Sequence, residues 1–400
     1  MEEIYNNIPT WDNGKWTVTD FESRELFSNF IFGLFKEPGK YKFDETSFLF
    51  NQQGELFREN KVYCTAPFKS KDFVNYWDDQ KLKCRKGVIF KSKDDTWFIT
   101  RDYYMWLNFL PIFDKEQQKF DFAKIRDAQY HMALYELLAE LNYKHVAILK
   151  KRQIASSYFH ISKLLNQLWF EEGVTLKMGA SLKDYINEKG SWKFLAEYAA
   201  FLNQHTAWYR PMNPDKILMW QQKIEIRKGD RKTESGLKGT MQGMSFEKDP
   251  TNGVGGPVKY FFHEEAGIAP KMDQTYEYMR PAMRSGLTTT GMFIAAGSVG
   301  DLSQCNPLRD MILNPDSKDI YAVKTNLLDN KGTLGVSGLF IPEQWSMPPY
   351  IDTYGNSLVN DALKALDDQF DKWRKELNPE DYQLRISQHP RNIEEAFAHR

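Results

Sequence analysis

The feature that most constrains this chain is a regular alternation of apolar strand-like runs and amphipathic stretches in its middle part. Apolar residues recur at helical spacing over residues 122–142, and a strand-like run over 145–149 follows at once. Residues 156–173 return to helical spacing, and residues 174–181 indicate a second strand before another helical stretch. This order predicts parallel strands joined by helical crossovers, and hence an α/β fold with a mostly parallel central sheet flanked by helices.

Five further segments in the second half of the chain have the composition of strands. They cover residues 216–229, 237–246, 258–262, 291–300 and 320–325. Apolar runs that end in small or acidic residues are typical of buried parallel strands whose carboxyl ends carry a site. A long helix is predicted from residue 356 onward, and Asn378 is expected to cap another helix.

Composition narrows the class of protein without identifying a partner. The 400 residues, 42% of them hydrophobic, suffice for a core of two or three structural units. The formal net charge of −1 gives no global basic field, so contact with a polyanion requires a local basic patch. The cysteines Cys64, Cys84 and Cys305 lack metal-ligand spacing and predict a reducing compartment. No apolar run approaches the roughly 20 residues of a membrane span.

Residues 146–160, VAILKKRQIASSYFH, have the layout of a phosphate-binding loop between a strand and a helix. In such a loop, backbone N–H groups and the helix amino terminus converge on phosphate oxygens, a lysine neutralises charge, and a hydroxyl binds Mg²⁺. The usual lysine at the helix end is missing, so Lys150 and Lys151 at the strand end are the candidates. Ser157 is the candidate hydroxyl, and the guanidinium of Arg152 suits phosphate oxygens.

The remaining loop residues, Gln153, Ile154, Ala155 and Ser156, are expected to offer backbone donors to a nucleotide. Ala155 occupies a position that usually holds glycine, which is tolerable only if its φ is negative. On the preceding predicted helix, Gln129 is a candidate for hydrogen bonding to an adenine edge, and a solvated helix face explains it equally well. The alternative for the whole segment is a basic surface turn without a ligand.

Two adjacent carboxylates, Glu264 and Glu265, follow the apolar run 258–262. A nucleotide-hydrolysing site needs one acid for the Mg²⁺ shell and one to orient or deprotonate water, so a pair at a strand end can supply both. The alternative is that the glutamates begin a helix, whose amino terminus favours acids. His263 has no second ligand at metal spacing and is expected to be a packed neighbour.

Small residues, Gly297, Ser298 and Gly300, end the next apolar run. Small residues would let a strand-end loop approach the terminal phosphate and transmit the loss of that phosphate to segments that change conformation. The alternative is an ordinary glycine-rich turn. Three strand ends that carry phosphate-binding, acidic and small residues in this order favour one common nucleotide site.

In order and content these motifs resemble the ATPase domain of the large terminase subunit of tailed bacteriophages, over roughly residues 120–397. Many such proteins carry a deviant Walker A motif with its lysine at the start, K-x-R-Q-h-G-x-S/T. Residues 150–157, KKRQIASS, match that motif at every position except the glycine. The resemblance therefore assigns the phosphate-binding lysine to Lys150.

The Walker B motif of that family ends in Asp-Glu-Ala, where this chain has Glu264, Glu265 and Ala266. The acid at the metal position is therefore one carbon longer than in the family. The resemblance implies that Glu264 and Ser157 bind Mg²⁺. It also implies catalytic roles for Glu265, Arg152 and Lys150, and a coupling role for Gly297, Ser298 and Gly300.

The resemblance further implies an ASCE-type P-loop fold that binds ATP and Mg²⁺ and translocates double-stranded DNA into the viral prohead. The implied partners are the DNA, the portal protein and the small terminase subunit. A homo-pentamer is expected on the prohead, a monomer in solution is compatible with it, and no membrane is involved. The implied location is the cytoplasm of the infected bacterium. The aromatic N-terminal region resembles large terminases of crAss-like phages.

The expected organisation is an N-terminal α+β accessory region over residues 1–115, a P-loop ATPase core over 116–355 and a C-terminal helical subdomain over 356–400. Nuclease activity is expected only of a longer chain, because an RNase H-like domain follows in the family. Two alternatives stay open: a superfamily 2 helicase-like translocase, and a non-catalytic phage assembly protein with a decayed loop. Arg280 and Arg284, in a predicted helix, are candidates for an arginine that acts on a neighbouring subunit.

Overall fold

The protein is built around one large sheet with helices on both faces. The computed structural model describes residues 8, 11–12, 15–16, 21–114, 117–187, 190–216, 218–229, 231–252, 255–300 and 302–398. The outermost residues of the first and last predicted regions lie outside the described residues. The α-helices are α1 Phe21–Leu34, α2 Gln52–Asn60, α3 Lys71–Lys86, α4 Arg101–Phe109, α5 Asp127–Leu141, α6 Ser156–Phe170, α7 Ser191–His205, α8 Met272–Met279, α9 Leu302–Leu313, α10 Val359–Glu376, α11 Pro379–Gln388 and α12 Ile393–Ala396.

The strands are numbered in the same way. They are β1 Trp11–Asp12, β2 Lys15–Trp16, β3 Val88–Lys91, β4 Thr96–Ile99, β5 Ile112–Asp114, β6 Lys119–Asp121, β7 Val146–Lys150, β8 Thr175–Ala180, β9 Asn213–Lys216, β10 Met219–Gln221, β11 Ile224–Lys228, β12 Arg231–Ser235, β13 Thr240–Ser245, β14 Tyr260–His263, β15 Arg284–Ser285, β16 Thr288–Thr289, β17 Met292–Gly297, β18 Val323–Thr325, β19 Gly335–Ser337 and β20 Leu339–Ile341. Short 3-10 helices include Ala266–Ile268 and Arg280–Met283.

The central sheet has eight strands in the order β20-β7-β17-β14-β8-β13-β10-β9. The first six are parallel, whereas β10 runs antiparallel to both β13 and β9. Gly297 of β17 pairs with Leu149 of β7. His263 of β14 pairs with Gly179 of β8, so the carboxyl ends of these four strands meet at one edge of the sheet. The predicted α/β fold with a mostly parallel sheet flanked by helices is confirmed.

Alternate residues of the buried strands face two hydrophobic clusters, one on each side of the sheet. On β7, Ile148 lies in the first cluster with residues of α5 and α6, whereas Ala147 and Leu149 lie in the second with residues of α8 and α9. On β14, Phe262 and Phe261 divide in the same way. Burial on both faces explains why these strands are continuous apolar runs in the sequence.

The N-terminal part of the chain packs on α5, α6 and α7 and shares the first hydrophobic cluster. Every residue of α4 is buried. The indole N–H of Trp106 in α4 donates to the hydroxyl of Tyr198 in α7 at 3.1 Å. Residues on both sides of the predicted boundary at residue 115 therefore contribute to one common core.

A buried charge network joins α4 to the sheet. Arg101 Nη2 lies 2.9 Å from Glu140 Oε2, and Lys259 Nζ lies 3.3 Å from Glu140 Oε1. Burial raises the pKa of Glu140, but the charges of Arg101 and Lys259 outweigh it and hold that pKa below its usual value. Nearby, Lys163 Nζ lies 3.2 Å from Asp102 Oδ2. Removing one partner would leave an uncompensated buried charge, so α4 and the sheet depend on each other.

One buried carboxylate fastens distant segments of the chain. Asp127, the first residue of α5, accepts hydrogen bonds from the backbone N–H of Gly39 at 2.6 Å and of Ser357 at 2.8 Å. The hydroxyl of Ser357 donates to the same carboxylate at 2.5 Å. The segments before α2 and before α10 therefore meet at the amino terminus of α5.

One expectation about elements was wrong, and one strand was not predicted. The unpredicted strand is β20, which holds the edge position beside β7, whereas residues 320–325 contribute β18, which pairs with β19 in a separate hairpin. All three residues of β20 are buried, whereas Lys324 of β18 is exposed. The more apolar β20 therefore occupies the place in the central sheet. Arg284 lies in β15 and not in a helix, because α8 ends at Met279 and a 3-10 helix follows. Among the described residues, no helix is both long enough and apolar enough to cross a membrane.

Candidate nucleotide-binding site

The predicted phosphate-binding loop, residues 151–155, connects the carboxyl end of β7 to α6. Gln153 and Ala155 have left-handed φ values of 62° and 58°, which turn the backbone sharply before the helix begins. The side chain of Ile154 is buried, and its carbonyl accepts a hydrogen bond from Gln129 Nε2 at 3.1 Å. Gln129 therefore braces the loop from α5. Its Oε1 is buried and has no hydrogen-bond partner among the described residues.

Ala155 does not meet the condition of a negative φ. A left-handed backbone brings the Cβ of an L-residue too close to the following carbonyl, at roughly 1–2 kcal/mol. We expect Ala155→Gly to raise the free energy of unfolding by about 1 kcal/mol, the relief of strain minus the added entropy of the unfolded chain. Urea unfolding measures the change.

The matched control is Ala365→Gly in the helix α10. There the backbone is helical, so glycine should lower the unfolding free energy by about 1 kcal/mol. Opposite signs for the two substitutions would support strain at Ala155. A loss of stability at both positions would contradict it.

The two adjacent lysines of the loop have different surroundings. Lys151 Nζ is buried and donates to the carbonyls of Ser346 at 3.2 Å and Glu343 at 3.3 Å. Lys150 is also buried, with 8% of its surface exposed, but its side chain makes no hydrogen bond or ion pair with a described residue. Its charge acts on the carboxylate of Glu264. A buried ammonium that no described residue contacts by a hydrogen bond or ion pair is unfavourable, so Lys150 is available for an anion.

Ser157 and Glu264 meet across the end of the sheet. Ser157 Oγ, in the first turn of α6, donates to Glu264 Oε1 at 2.8 Å. Ser191 Oγ, at the start of α7, donates to Glu264 Oε2 at 2.6 Å. A hydroxyl and a carboxylate are hard oxygen ligands that suit Mg²⁺, so the residues fit the predicted ion. Sequence reasoning missed Ser191, whose only signal is its place at the start of the helix after β8.

Burial, and after it the charge of Glu265, raises the pKa of Glu264 above its usual value, although hydrogen bonds from Ser191 and Ser157 oppose the shift. A carboxyl group with a raised native pKa makes the native state less stable as the pH rises from its usual pKa through the raised one. We therefore expect Glu264→Gln to increase the unfolding free energy of the ligand-free protein near pH 8. The difference should shrink toward pH 4, where both side chains are neutral.

Urea unfolding at the two pH values checks this expectation. The control is Glu247→Gln, because Glu247 is exposed and its neutralisation should leave the stability nearly unchanged. If Glu264→Gln lowers stability near pH 8, the two hydroxyls stabilise the ionised carboxylate more than burial disfavours it.

Glu265 is half-buried and has a left-handed backbone, with φ 47° and ψ 49°. The turn that follows it packs against the end of β17. A Cβ on Gly267 would lie 1.8 Å from the carbonyl oxygen of Ser298, and a Cβ on Gly297 would lie 2.3 Å from the nitrogen of Gly267. Gly300 lies against the same turn. The predicted coupling residues therefore touch the acidic loop backbone to backbone.

The side chain of Ser156 faces the core and not the site. Ser156 Oγ lies 3.1 Å from His160 Nδ1, and His160 Nε2 lies 2.7 Å from Glu136 Oε1, with all three residues buried. The hydroxyl of Ser156 is therefore turned away from the loop, and its predicted role as a backbone donor to a nucleotide stays a prediction. His263 is a packed neighbour, and burial lowers its pKa to about 4. Among the described residues, no group of three or more His, Cys, Asp or Glu side chains could hold a metal ion.

The arginines of the prediction lie in different places. Arg152 is exposed on the loop, next to the exposed Gln153, and forms no ion pair with a described residue. Arg280 Nη2 lies 3.1 Å from Asp319 Oδ2, an ordinary surface ion pair. Arg284 lies in β15, beside the amino end of β17 and at the opposite edge of the sheet from the loop.

The order of the strands defines the class of protein. β17 stands between β7, which leads into the loop, and β14, which leads into the two glutamates. A strand inserted between the Walker A and Walker B strands distinguishes ASCE-type P-loop NTPases from other P-loop proteins. The chain has this ASCE-type fold.

No known protein family and no curated protein sequence matches the chain. Similar solved structures include the large terminase ATPase domain of Thermus phage P74-26, with 10% identity and a TM-score of 0.40, over 62% of this chain and 88% of that one. A point mutant of the same domain gives 11% identity and a TM-score of 0.39 over the same shares. The large terminase of bacteriophage HK97 gives 11% identity and a TM-score of 0.37, over 67% of this chain and 53% of that one.

Proposed function

We propose that the chain is the ATP-hydrolysing motor domain of a phage large terminase, which drives double-stranded DNA into the prohead. The observation that carries the proposal is the convergence of Lys150, Ser157, Glu264 and Glu265 at one edge of the sheet. An unpaired buried lysine, an oxygen pair suited to Mg²⁺ and a second carboxylate are the groups that hydrolysis of a nucleoside triphosphate needs.

ATP binds with its phosphates against the backbone N–H groups of the loop and the amino terminus of α6. The ammonium of Lys150 neutralises phosphate charge, and Arg152 brings its guanidinium fork from the exposed side of the loop. Ser157 and Glu264 hold Mg²⁺, which supplies further neutralisation of the phosphates when it is bound. The unpaired Oε1 of Gln129 accepts a hydrogen bond from the adenine amino group.

Glu265 orients the attacking water and accepts its proton. Loss of the terminal phosphate then changes the position of the turn after Glu265. Gly297, Ser298 and Gly300 follow this turn because the close glycine contacts leave no room for independent movement. The end of β17 thus passes the state of the nucleotide to the rest of the domain.

The proposal includes partners and organisation. The motor acts on double-stranded DNA, together with the portal protein and the small terminase subunit, as a homo-pentamer on the prohead in the host cytoplasm. Residues 116–355 form the ATPase core, residues 1–115 an accessory layer on it, and residues 356–400 a C-terminal helical subdomain.

One observation favours a second candidate. The strained Ala155 in the glycine position fits a non-catalytic assembly protein whose loop has decayed. The helicase-like alternative has less support, because the described residues contain one large sheet and no second RecA-like lobe.

Nucleotide binding and hydrolysis by the purified chain separate these functions. We expect binding of ATP in the micromolar to millimolar range and Mg²⁺-dependent phosphate release that duplex DNA stimulates. Displacement of a third strand from a DNA triplex, without strand separation of the duplex, would support duplex translocation. Absence of ATP binding up to millimolar concentration would favour the decayed loop, and strand separation would favour a helicase.

A further inference from the structure

We infer that the two-stranded ribbon β11–β12 contacts the phosphate backbone of duplex DNA. The inference rests on the function proposed above, which supplies the duplex, and it adds the element that touches it. The ribbon is joined to the sheet just before β13 begins at Thr240, which pairs with Thr175 at the amino end of β8. It therefore lies at the opposite edge of the sheet from the nucleotide loop.

The ribbon projects from a fixed base. Its two strands pair with each other over five residues, roughly 17 Å, and with no strand of the central sheet. At the base, the backbone N–H of Gln222 donates to the carbonyl of Gly239 at 2.8 Å, and the N–H of Lys238 donates to the carbonyl of Gln222 at 2.9 Å. Gly236 supplies the left-handed turn, with φ 113°. A short arm on a hydrogen-bonded base can present its tip in a defined place.

Charge is divided unevenly along the ribbon. Near the base, Glu225 stands opposite Glu234, and Lys223 Nζ lies 3.1 Å from Glu234 Oε1. Lys232, which belongs to a pair nearer the tip, has its Nζ 3.7 Å from Glu225 Oε2. Toward the tip, the exposed Arg227 stands directly opposite Lys232 and forms no ion pair with a described residue.

The next backbone pair in the register is again basic, Lys228 opposite Arg231. Residues 227–232 contain four basic residues and one acid. Like charges directly opposite each other in a ribbon are destabilising, so Arg227 opposite Lys232 opposes its folding. A polyanion bound at the tip would remove this repulsion.

Three properties of the tip favour duplex DNA among polyanions. A two-stranded ribbon has the width that the major groove of B-DNA admits. The guanidinium fork of Arg227 matches phosphate oxygens. Residues 227–232 contain no aromatic side chain, so the tip lacks the stacking platform on which single-stranded nucleic acid is bound. Contacts of this kind position the duplex and carry no sequence preference.

The test is the salt dependence of duplex binding by the full chain. Fluorescence anisotropy with a duplex of about 30 base pairs, between roughly 50 and 200 mM salt, gives the slope of log Kd against log salt concentration. For Arg227→Gln combined with Lys232→Gln, we expect a slope smaller by about 1.8 and an affinity at least about tenfold lower near 100 mM salt. Hydrolysis of ATP without DNA should stay unchanged.

The matched control is Lys364→Gln combined with Lys372→Gln, which removes the same charge from exposed positions of α10. An equal change of slope in this control, or an unchanged slope in the ribbon variant, would overturn the inference. So would failure of the wild-type chain to bind duplex, or ribbon-dependent binding of a single-stranded oligonucleotide in its place. Absence of ATP hydrolysis by the wild type would count against the proposed function alone, because the slopes are measured without ATP.

Discussion

Replacing Glu265 with glutamine is expected to lower the rate of ATP hydrolysis by about 10²–10⁴-fold while leaving ATP affinity within a few fold. Glutamine has nearly the shape of glutamate but cannot accept a proton from water. The side chain of Glu265 makes no hydrogen bond or ion pair with a described residue, and the bond from Ile268 N–H reaches its backbone carbonyl, so the substitution removes no structural contact. Its left-handed backbone is determined by the packed turn that follows it and should persist in the variant. Single-turnover phosphate release and equilibrium binding of ATP separate the two effects.

The neighbouring substitution Glu264→Gln is the matched comparison for chemistry. Because Glu264 is held by Ser157 and Ser191 beside the predicted ion, its loss should weaken Mg²⁺-dependent binding of ATP more than metal-free binding. Glu265→Gln should therefore impair the hydrolysis step, whereas Glu264→Gln should impair Mg²⁺-dependent binding of ATP. Turnover by Glu265→Gln at a rate near that of the wild type would remove Glu265 from the catalytic role.

Lys150→Ala is expected to lower ATP turnover at least tenfold, about 1.4 kcal/mol of transition-state stabilisation. The ammonium of Lys150 is buried near Glu264 but makes no hydrogen bond or ion pair with a described residue, so a phosphate would be its first direct partner. Removing a buried charge that has no direct contact should leave the unfolding free energy nearly unchanged. The expected signature is therefore lost activity without lost stability.

Lys151→Ala should give the reverse signature. Its ammonium holds the carbonyls of Glu343 and Ser346, so truncation should lower the unfolding free energy by about 1.5–3 kcal/mol with a smaller effect on turnover. Urea unfolding and steady-state hydrolysis on both variants provide the comparison. If Lys151→Ala is inactive and Lys150→Ala is active, the loop motif is misread by one residue. If both are fully active, neither lysine binds phosphate.

The parts of the fold that follow from the sequence are those whose burial is complete. Helices cover both faces of the sheet, so β7, β14 and β17 are continuous apolar runs. A run of this kind can be recognised from the sequence alone. The sequence analysis missed β20 because a run of three apolar residues is too short to show the alternation or helical spacing that identifies an element. Its place beside β7 depends on a long-range parallel pairing that local sequence does not encode.

For the candidate site, too, some residues could be predicted from the sequence and others could not. The loop and the two glutamates were predicted because strand ends of a parallel sheet converge. Ser191 and His160 were missed because a polar residue on a helix has no pattern that distinguishes a partner from a solvated face. The φ of Ala155 was left open because tertiary packing determines it, through the buried Ile154 and the brace from Gln129.

The inward-facing hydroxyl of Ser156 has a consequence for how this loop can evolve. A lysine at position 156 would start from a Cβ that faces His160 and Glu136, in a core that already holds the cation of Lys163 beside Glu136. Returning the lysine to the helix end would therefore require concerted replacement of residues on α5 and α6, with unpaired buried charge in each single intermediate. Exchange of the strand-end lysine for one at the helix end by single substitutions is therefore disfavoured. In descendants of this chain, Lys150 should vary far less than the surface of α6, and position 156 should stay small.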